Sequence, residues 1–233
     1  HLNGFTDCYI RPIAFYGYDT LGVHPKDCPV NVAVASFYWG AYLGEEGLVS
    51  GVNITISPWK KFSLDAFPES AKASGQYMNS MLAVQDARKR GFDEALLLNQ
   101  HGHIAEGSGQ NIFIVKDKII YTNDVNASIL MGITRESIIH ICKDLHYTVK
   151  ITDLTTEMLL ACDEAFFTGS ATEVTPIATL DRAPIGNGKP GAITLEIKDL
   201  YLKIIQGRES RYRNWLTFVN TKKRSTKAVL ENH

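Results

Sequence analysis

The chain has 233 residues, 45% of them hydrophobic and 21% charged, with a net charge of −1; this permits a sizeable core in one domain or two. Near-neutrality excludes the electrostatic footprint of a nucleic-acid or acidic-membrane partner, and the single basic cluster, Lys222-Lys223-Arg224, reads as the solvated end of a polar tail. Cys8, Cys28, Cys142 and Cys162 contain no C-x-x-C pair, which excludes a zinc pattern and points to reduced thiols in a cytoplasmic protein. No apolar run reaches membrane-spanning length and no leader-like segment opens the sequence.

In chain order, Tyr9-Ile10-Arg11-Pro12-Ile13-Ala14-Phe15-Tyr16-Gly17 predicts a strand whose proline places it near an edge. Val30 to Phe37 predicts a second strand. Trp39-Gly40-Ala41-Tyr42-Leu43-Gly44 mixes aromatics with glycines. It suits a core patch with turns, or a connector whose rings wall an apolar pocket. Val52 to Ser57 predicts another strand, and Phe62 to Ser70 a loop. Met78, Met81, Leu82 and Ala87 then recur at helical spacing, with Ser74 as the expected N-cap and Gly91 closing the helix. A β-meander is expected over Ala95 to Leu98, Ile104 to Glu106, Asn111 to Val115 and Ile119 to Tyr121. Leu130 to Glu136 leads into a helix through Ile138, Ile139, Ile141, Cys142 and Leu145, Tyr147 to Thr152 predicts a strand, Thr155 to Cys162 a short helix, Ala165 to Thr168 a buried strand and Ile193 to Ile205 a final helix. Strands and helices intermix, giving α+β.

Three local features bear on chemistry. Lys72, in Ala71-Lys72-Ala73-Ser74-Gly75-Gln76-Tyr77, stands among small residues just outside a helix start, where the macrodipole disfavours an ammonium. That suits an amine kept partly neutral, as a Schiff-base lysine requires; a merely solvated lysine is the alternative. Glu106 enters the glycine-flanked bend Gly107-Ser108-Gly109, either exposed at a turn or buried with a specific partner. Gly132-Ile133-Thr134-Arg135 and Gly169-Ser170-Ala171-Thr172 offer bare N–H groups fit for an anion, although an ordinary Thr-capped helix explains the first equally well.

A lysine, an acid in a glycine-rich bend and two anion-ready turns match the needs of a pyridoxal phosphate site. The Lys72 and Glu106 segments, with Gly132-Ile133-Thr134-Arg135 and Gly169-Ser170-Ala171-Thr172-Glu173-Val174-Thr175-Pro176, resemble the signatures of the class IV, fold-type IV pyridoxal phosphate enzymes. Tyr9-Ile10-Arg11-Pro12 and the Trp39-to-Gly44 stretch narrow the resemblance to the branched-chain amino acid aminotransferases, from about Tyr9 to about Trp215.

The resemblance implies transamination of leucine, isoleucine and valine with 2-oxoglutarate through a Lys72–pyridoxal phosphate aldimine. A D-amino acid aminotransferase or an aminodeoxychorismate lyase on the same scaffold, or an inactive fragment, are the alternatives. By matching position, Lys72 holds the cofactor and moves the α-proton, Glu106 bonds the pyridine nitrogen and Tyr77 the ring hydroxyl. Ile133 and Thr134 amides take the phosphate, with the Ser170 hydroxyl. Ser170 and Ala171 amides, Tyr9 and Arg11 serve the substrate carboxylate, and Trp39 and Tyr42 bound the side-chain pocket. The resemblance also implies a homodimer or larger homo-oligomer. It divides the chain into a remnant of a small N-terminal domain (1–37), a connector (38–50), a cofactor-binding domain (51–220) and a disordered tail (221–233). The family's N-terminal region, with an arginine that reaches the phosphate, precedes the start of this sequence. Gln110 replaces a common glutamate, Ser170 a common threonine, and Tyr121-Thr122-Asn123-Asp124 a Thr-Pro-Pro type turn.

Overall fold

The computed structural model describes residues 3–68 and 71–219; the tail expected over 221–233 lies outside them. Two compact units emerge, one of residues up to Gly40 with the described residues from Asn214 onward, the other Ala41–Arg213.

The first unit is a two-stranded antiparallel ribbon. Strand β1 (Tyr9–Tyr16) pairs with β2 (Val30–Phe37) from Tyr9↔Phe37 to Tyr16↔Val30. Ile10, Ile13, Phe15, Val30, Val32 and Val34 are all exposed, as expected where a ribbon has no layer of its own to cover it.

The second unit is built on a nine-stranded sheet. Its elements are α1 (Glu45–Ser50), β3 (Val52–Ile56), α2 (Tyr77–Lys89), β4 (Glu94–Leu98), β5 (Ile104–Gly107), β6 (Asn111–Lys116), β7 (Ile119–Thr122), α3 (Ile133–Asp144), β8 (Thr148–Ile151), α4 (Thr156–Leu160), β9 (Glu164–Gly169), β10 (Glu173–Leu180), β11 (Ala183–Pro184) and α5 (Ala192–Ile205). The strand order is β5-β4-β3-β10-β9-β6-β7-β8, with β11 on β10.

That order corrects the expected meander. Strand β5 pairs with β4, and β6 pairs with β7 and β9, so the chain leaves one edge of the sheet at Gly107 and re-enters five places away. In a flat sheet those steps would separate β5 from β6 by about 24 Å. The connection of Ser108, Gly109 and Gln110 reaches at most about 14 Å. The sheet therefore curls, and the Glu106 bend lies where its two parts approach.

Alternation along the strands divides the core. Ile112, Ile114, Ala165 and Phe167 point into a cluster with Leu96, Ile104, Leu159 and Ile177. Phe113, Val115 and Phe166 face Ile138, Cys142, Ile197 and Tyr201 on α3 and α5, as a period of two demands. Phe113 and Phe166 stack with centroids 5.1 Å apart. Among the described residues no helix is long and apolar enough to cross a membrane.

Candidate active site

The lysine segment departs from expectation in its entry to the helix. A 3-10 turn, Ser74–Gln76, precedes α2, and neither element has a side-chain cap, so Ser74 is not the N-cap. Ala73 bonds back to Ala71 and Gln76 to Ala73, and this tighter winding supplies backbone acceptors where a capping hydroxyl was expected. Lys72 is exposed between Pro68 and this turn, and Tyr77 is partly exposed at the head of α2. Two residues into α2, Asn79 Nδ2 donates to the Lys60 carbonyl at 2.5 Å. The helix that follows Lys72 is thereby tied to the segment beside Glu106.

Glu106 is buried on β5, which decides between the two readings of the bend. Lys61 Nζ meets its Oε1 at 2.8 Å. Asn111 Nδ2 donates to Oε2 at 3.1 Å, and the Leu130 amide reaches the same oxygen at 3.3 Å. Asn111 Nδ2 also donates to the Leu130 carbonyl at 2.8 Å. The carboxylate thus receives donors from the segment after β3, from the first residue of β6 and from the loop entering α3.

The bend is braced from behind by a second acid. Glu94, fully buried, accepts from the Ala95 amide at 2.6 Å, Ser108 Oγ at 2.9 Å and Gln110 Nε2 at 3.0 Å. Desolvation pushes its carboxyl above the ordinary value of 4.5, against those hydrogen bonds. A Cβ at Gly107 would strike Gln110 Oε1 and come within 3.0 Å of the Phe167 ring. No larger residue fits there without shifting the bend.

Helix α3 starts at Gly132, which has no side chain to cap it. A Cβ there would strike Asn111 Oδ1, so the helix start presses on the residue that holds Glu106. The Thr134 hydroxyl is engaged by Tyr201 and Thr134 is buried, whereas Ile133 is exposed. The first-turn amides are therefore the groups available to an anion, at the positive end of the macrodipole. Thr168, on β9, faces Asn111 across the ladder, and Ser170 and Ala171 follow it, exposed and half-buried.

In this unit the structure therefore draws Glu106, the start of α3 and the Ser170 turn around Asn111. In the other unit it groups Tyr9, Arg11 and Trp39. Tyr9 lies edge-on to Trp39 at 4.8 Å, and the Arg11 guanidinium lies 4.9 Å from the Trp39 ring and 5.4 Å from Tyr9. Tyr42 is partly exposed at the start of the larger unit. Sequence reasoning missed Lys61, Asn111 and Glu94. Only Asn111 left a local signal, as an amide heading a strand beside a glycine-rich bend.

Two of the buried polar atoms that lack a hydrogen-bond partner fall on this site's segments: Gln76 Nε2, beside Tyr77, and Thr168 Oγ1, beside the Ser170 turn. Among the described residues no His, Cys, Asp and Glu group is arranged to hold a metal.

The model of the class IV amino-transferase family matches residues 1–180. A branched-chain-amino-acid aminotransferase of Pseudomonas aeruginosa is 40% identical over 217 residues, spanning 93% of this chain and 70% of that protein. The Escherichia coli K12 protein of the same name is 37% identical over 219 residues, 94% of this chain and 71% of its own length. Among solved structures, the branched-chain amino acid aminotransferase of Escherichia coli has a TM-score of 0.91 at 37% identity, covering 94% of this chain and 72% of the other. That of Thermobaculum terrenum in its PLP form has a TM-score of 0.86 at 33% identity, covering 93% of this chain and 70% of the other.

Proposed function

From a chain that belongs to the class IV aminotransferase family, we propose a pyridoxal phosphate-dependent transaminase that moves the amino group of leucine, isoleucine or valine to 2-oxoglutarate. The observation that carries this reading is the buried Glu106 carboxylate joined through Asn111 to the open N-terminus of α3. An acid for a ring nitrogen and amides for a phosphate then share one wall.

The residues fit the coenzyme in three respects. A buried anion stands in the bend, the start of α3 takes no side-chain capping hydrogen bond, and Gln76 Nε2 and Thr168 Oγ1 are buried without partners on the flanking segments. When bound, the coenzyme supplies an electron-accepting ring conjugated to the substrate α-carbon.

In this reading Lys72 Nζ anchors the coenzyme aldehyde and carries the proton removed from the substrate α-carbon. Glu106 accepts a hydrogen bond from the protonated ring nitrogen, and Tyr77 holds the ring hydroxyl. The Ile133 and Thr134 amides and the Ser170 hydroxyl hold the phosphate. Ser170 and Ala171 amides orient the substrate carboxylate; Tyr9, Arg11, Trp39 and Tyr42 are proposed substrate residues on the strength of their match to the family's motifs. An apolar wall gains only about 1–3 kcal/mol per methylene, so discrimination among leucine, isoleucine and valine is shallow. A homo-oligomer belongs to the same reading, supported by the exposed Met78, Met81 and Leu82 on α2. A cytoplasmic setting is supported by four free cysteines.

Incubation with pyridoxal phosphate, borohydride reduction and peptide mass mapping should place the adduct on Lys72. L-Leucine with 2-oxoglutarate should yield glutamate. An adduct elsewhere overturns the lysine assignment, and turnover of D-alanine alone overturns the substrate.

A further inference from the structure

Lys61 has no part in the roles assigned above, yet its ammonium lies directly against the Glu106 carboxylate. The two side chains are only 7% and 9% exposed, and the Nζ–Oε1 distance is 2.8 Å. Lys61 is fixed from its backbone as well, because its amide donates to the Leu98 carbonyl at 2.9 Å and anchors the residue at the end of β4. Burying an ammonium and a carboxylate costs each its hydration, and such pairs are often no better for stability than apolar residues of similar size. Stability alone gives little reason for this one.

We propose that Lys61 is a positioning residue for the coenzyme, holding Glu106 as an aimed anion so that the proton shared with the ring nitrogen stays on the nitrogen. The inference rests on the functional reading above. Its physical basis is direct contact between the charges. Lys61 touches the carboxylate itself, so it favours negative charge on those oxygens over a proton there, and the proton is left with the group from which the carboxylate accepts. Asn111 Nδ2 and the Leu130 amide, on Oε2, orient the carboxylate but bring no net charge. Lys61 brings one.

The test uses coenzyme labelled with 15N in the ring, bound to the full chain, with the ring-nitrogen resonance read from weakly acidic to weakly alkaline buffer. The wild-type resonance should stay at the pyridinium position. Lys61→Gln keeps a donor for Oε1 but removes the charge, and it should move the resonance toward neutral pyridine and weaken coenzyme binding about tenfold, read by fluorescence titration. Lys61→Arg should restore both, with affinity within about threefold of wild type. In a Glu106→Gln background, Lys61→Gln should add no further shift, because its route to the ring is gone.

The failures separate. If Glu106→Gln leaves the resonance in place, the ring does not face that acid and the functional reading falls. If Glu106→Gln moves it while Lys61→Gln does not, or if Lys61→Arg fails to restore it, the positioning role falls alone. Lys61→Met takes the same measurement if the amide variant does not fold.

Discussion

Strand β6 has a lysine–carboxylate pair at each end, and the two differ in everything but length. Beside its first residue, Asn111, Lys61 meets Glu106 at 2.8 Å with side chains 7% and 9% exposed; at its last residue, Lys116 meets Asp163 at 2.9 Å with side chains 45% and 49% exposed. At the far end water solvates and screens both charges, and Asp163 also accepts from the Asp117 amide at the tight β6–β7 turn. At the near end each charge has lost its hydration and depends on its partner. Distance does not give an ion pair its consequence; surroundings do. The strand has a desolvated, mutually dependent pair at its buried end, the one the proposed function uses, and a stitched turn at its wet one.

The largest test of this contrast is the lysine itself. Lys72→Ala should lower turnover of L-leucine by about four orders of magnitude, the upper range for loss of a positioned acid–base group. The melting midpoint should barely move, since Lys72 is exposed. Steady-state assays beside a thermal melt check both, and near-normal turnover would take the chemistry away from this end of the sheet. Glu106→Gln should lower turnover by about two to three orders of magnitude. Unlike Lys72→Ala it should also destabilise, by about 3–5 kcal/mol, because Lys61 is left buried without its countercharge. Urea denaturation measures that loss; a fully stable variant would mean the buried pair behaves like the exposed one.

How far the sequence discloses this arrangement depends on whether the signal is local. Strand β2 falls on Val30–Phe37 and helix α5 within a residue of its expected start, because alternation and helical spacing are written in consecutive residues. Strand β10 is not anticipated, since Pro176 argues against a central strand. The structure admits it because the register against β3 shifts just beyond, between Ile177 and Thr179. Helix α1 has six residues with glycine at each flank, too few to show a period. The acid of the site is legible through its glycine-rich bend, but its cation is not. Lys61 and Glu106 are 45 residues apart, and they meet because β3, β4 and β5 lie side by side, with the Lys61 amide bonded to Leu98 at the end of β4. The meander expectation failed because strand pairing is non-local: β5 and β6 follow each other in the chain but lie five places apart in the sheet, and the curl brings them together.

A third carboxylate sharpens the comparison, since Glu94 is as buried as Glu106 but is met by an amide, a hydroxyl and a side-chain amide and not by a contacting cation. Burial accordingly pushes its carboxyl up. A folded-state value above the unfolded one means that the native protein binds this proton more tightly. Glu94 therefore favours folding most at low pH and loses that contribution as pH rises from about 4.5 through the raised value. Glu94→Gln removes this slope. Relative to wild type, the variant should gain stability steadily with rising pH, read from urea midpoints over a pH series. A flat difference would mean that Glu94 is ionised at no cost, and that hydrogen bonds alone can do what Lys61 does for Glu106.

The smallest effect belongs to the exposed pair. Lys116 and the Asp117 amide hold the Asp163 carboxyl below its ordinary range. That contribution is present at neutral pH and is lost as the solution is acidified through the lowered value. Lys116→Met removes one of the two donors and leaves the turn amide in place, so the melting midpoint at neutral pH should move by about 2 °C or less. Raising salt to about 1 M, where the screening length is about 3 Å, should erase even that difference, while the loss in Glu106→Gln should persist because salt does not reach a buried charge. A salt-resistant drop of about 5 °C in Lys116→Met would put the two ends of β6 on the same footing, and burial would no longer separate the pair proposed to serve the coenzyme from the one that holds a turn.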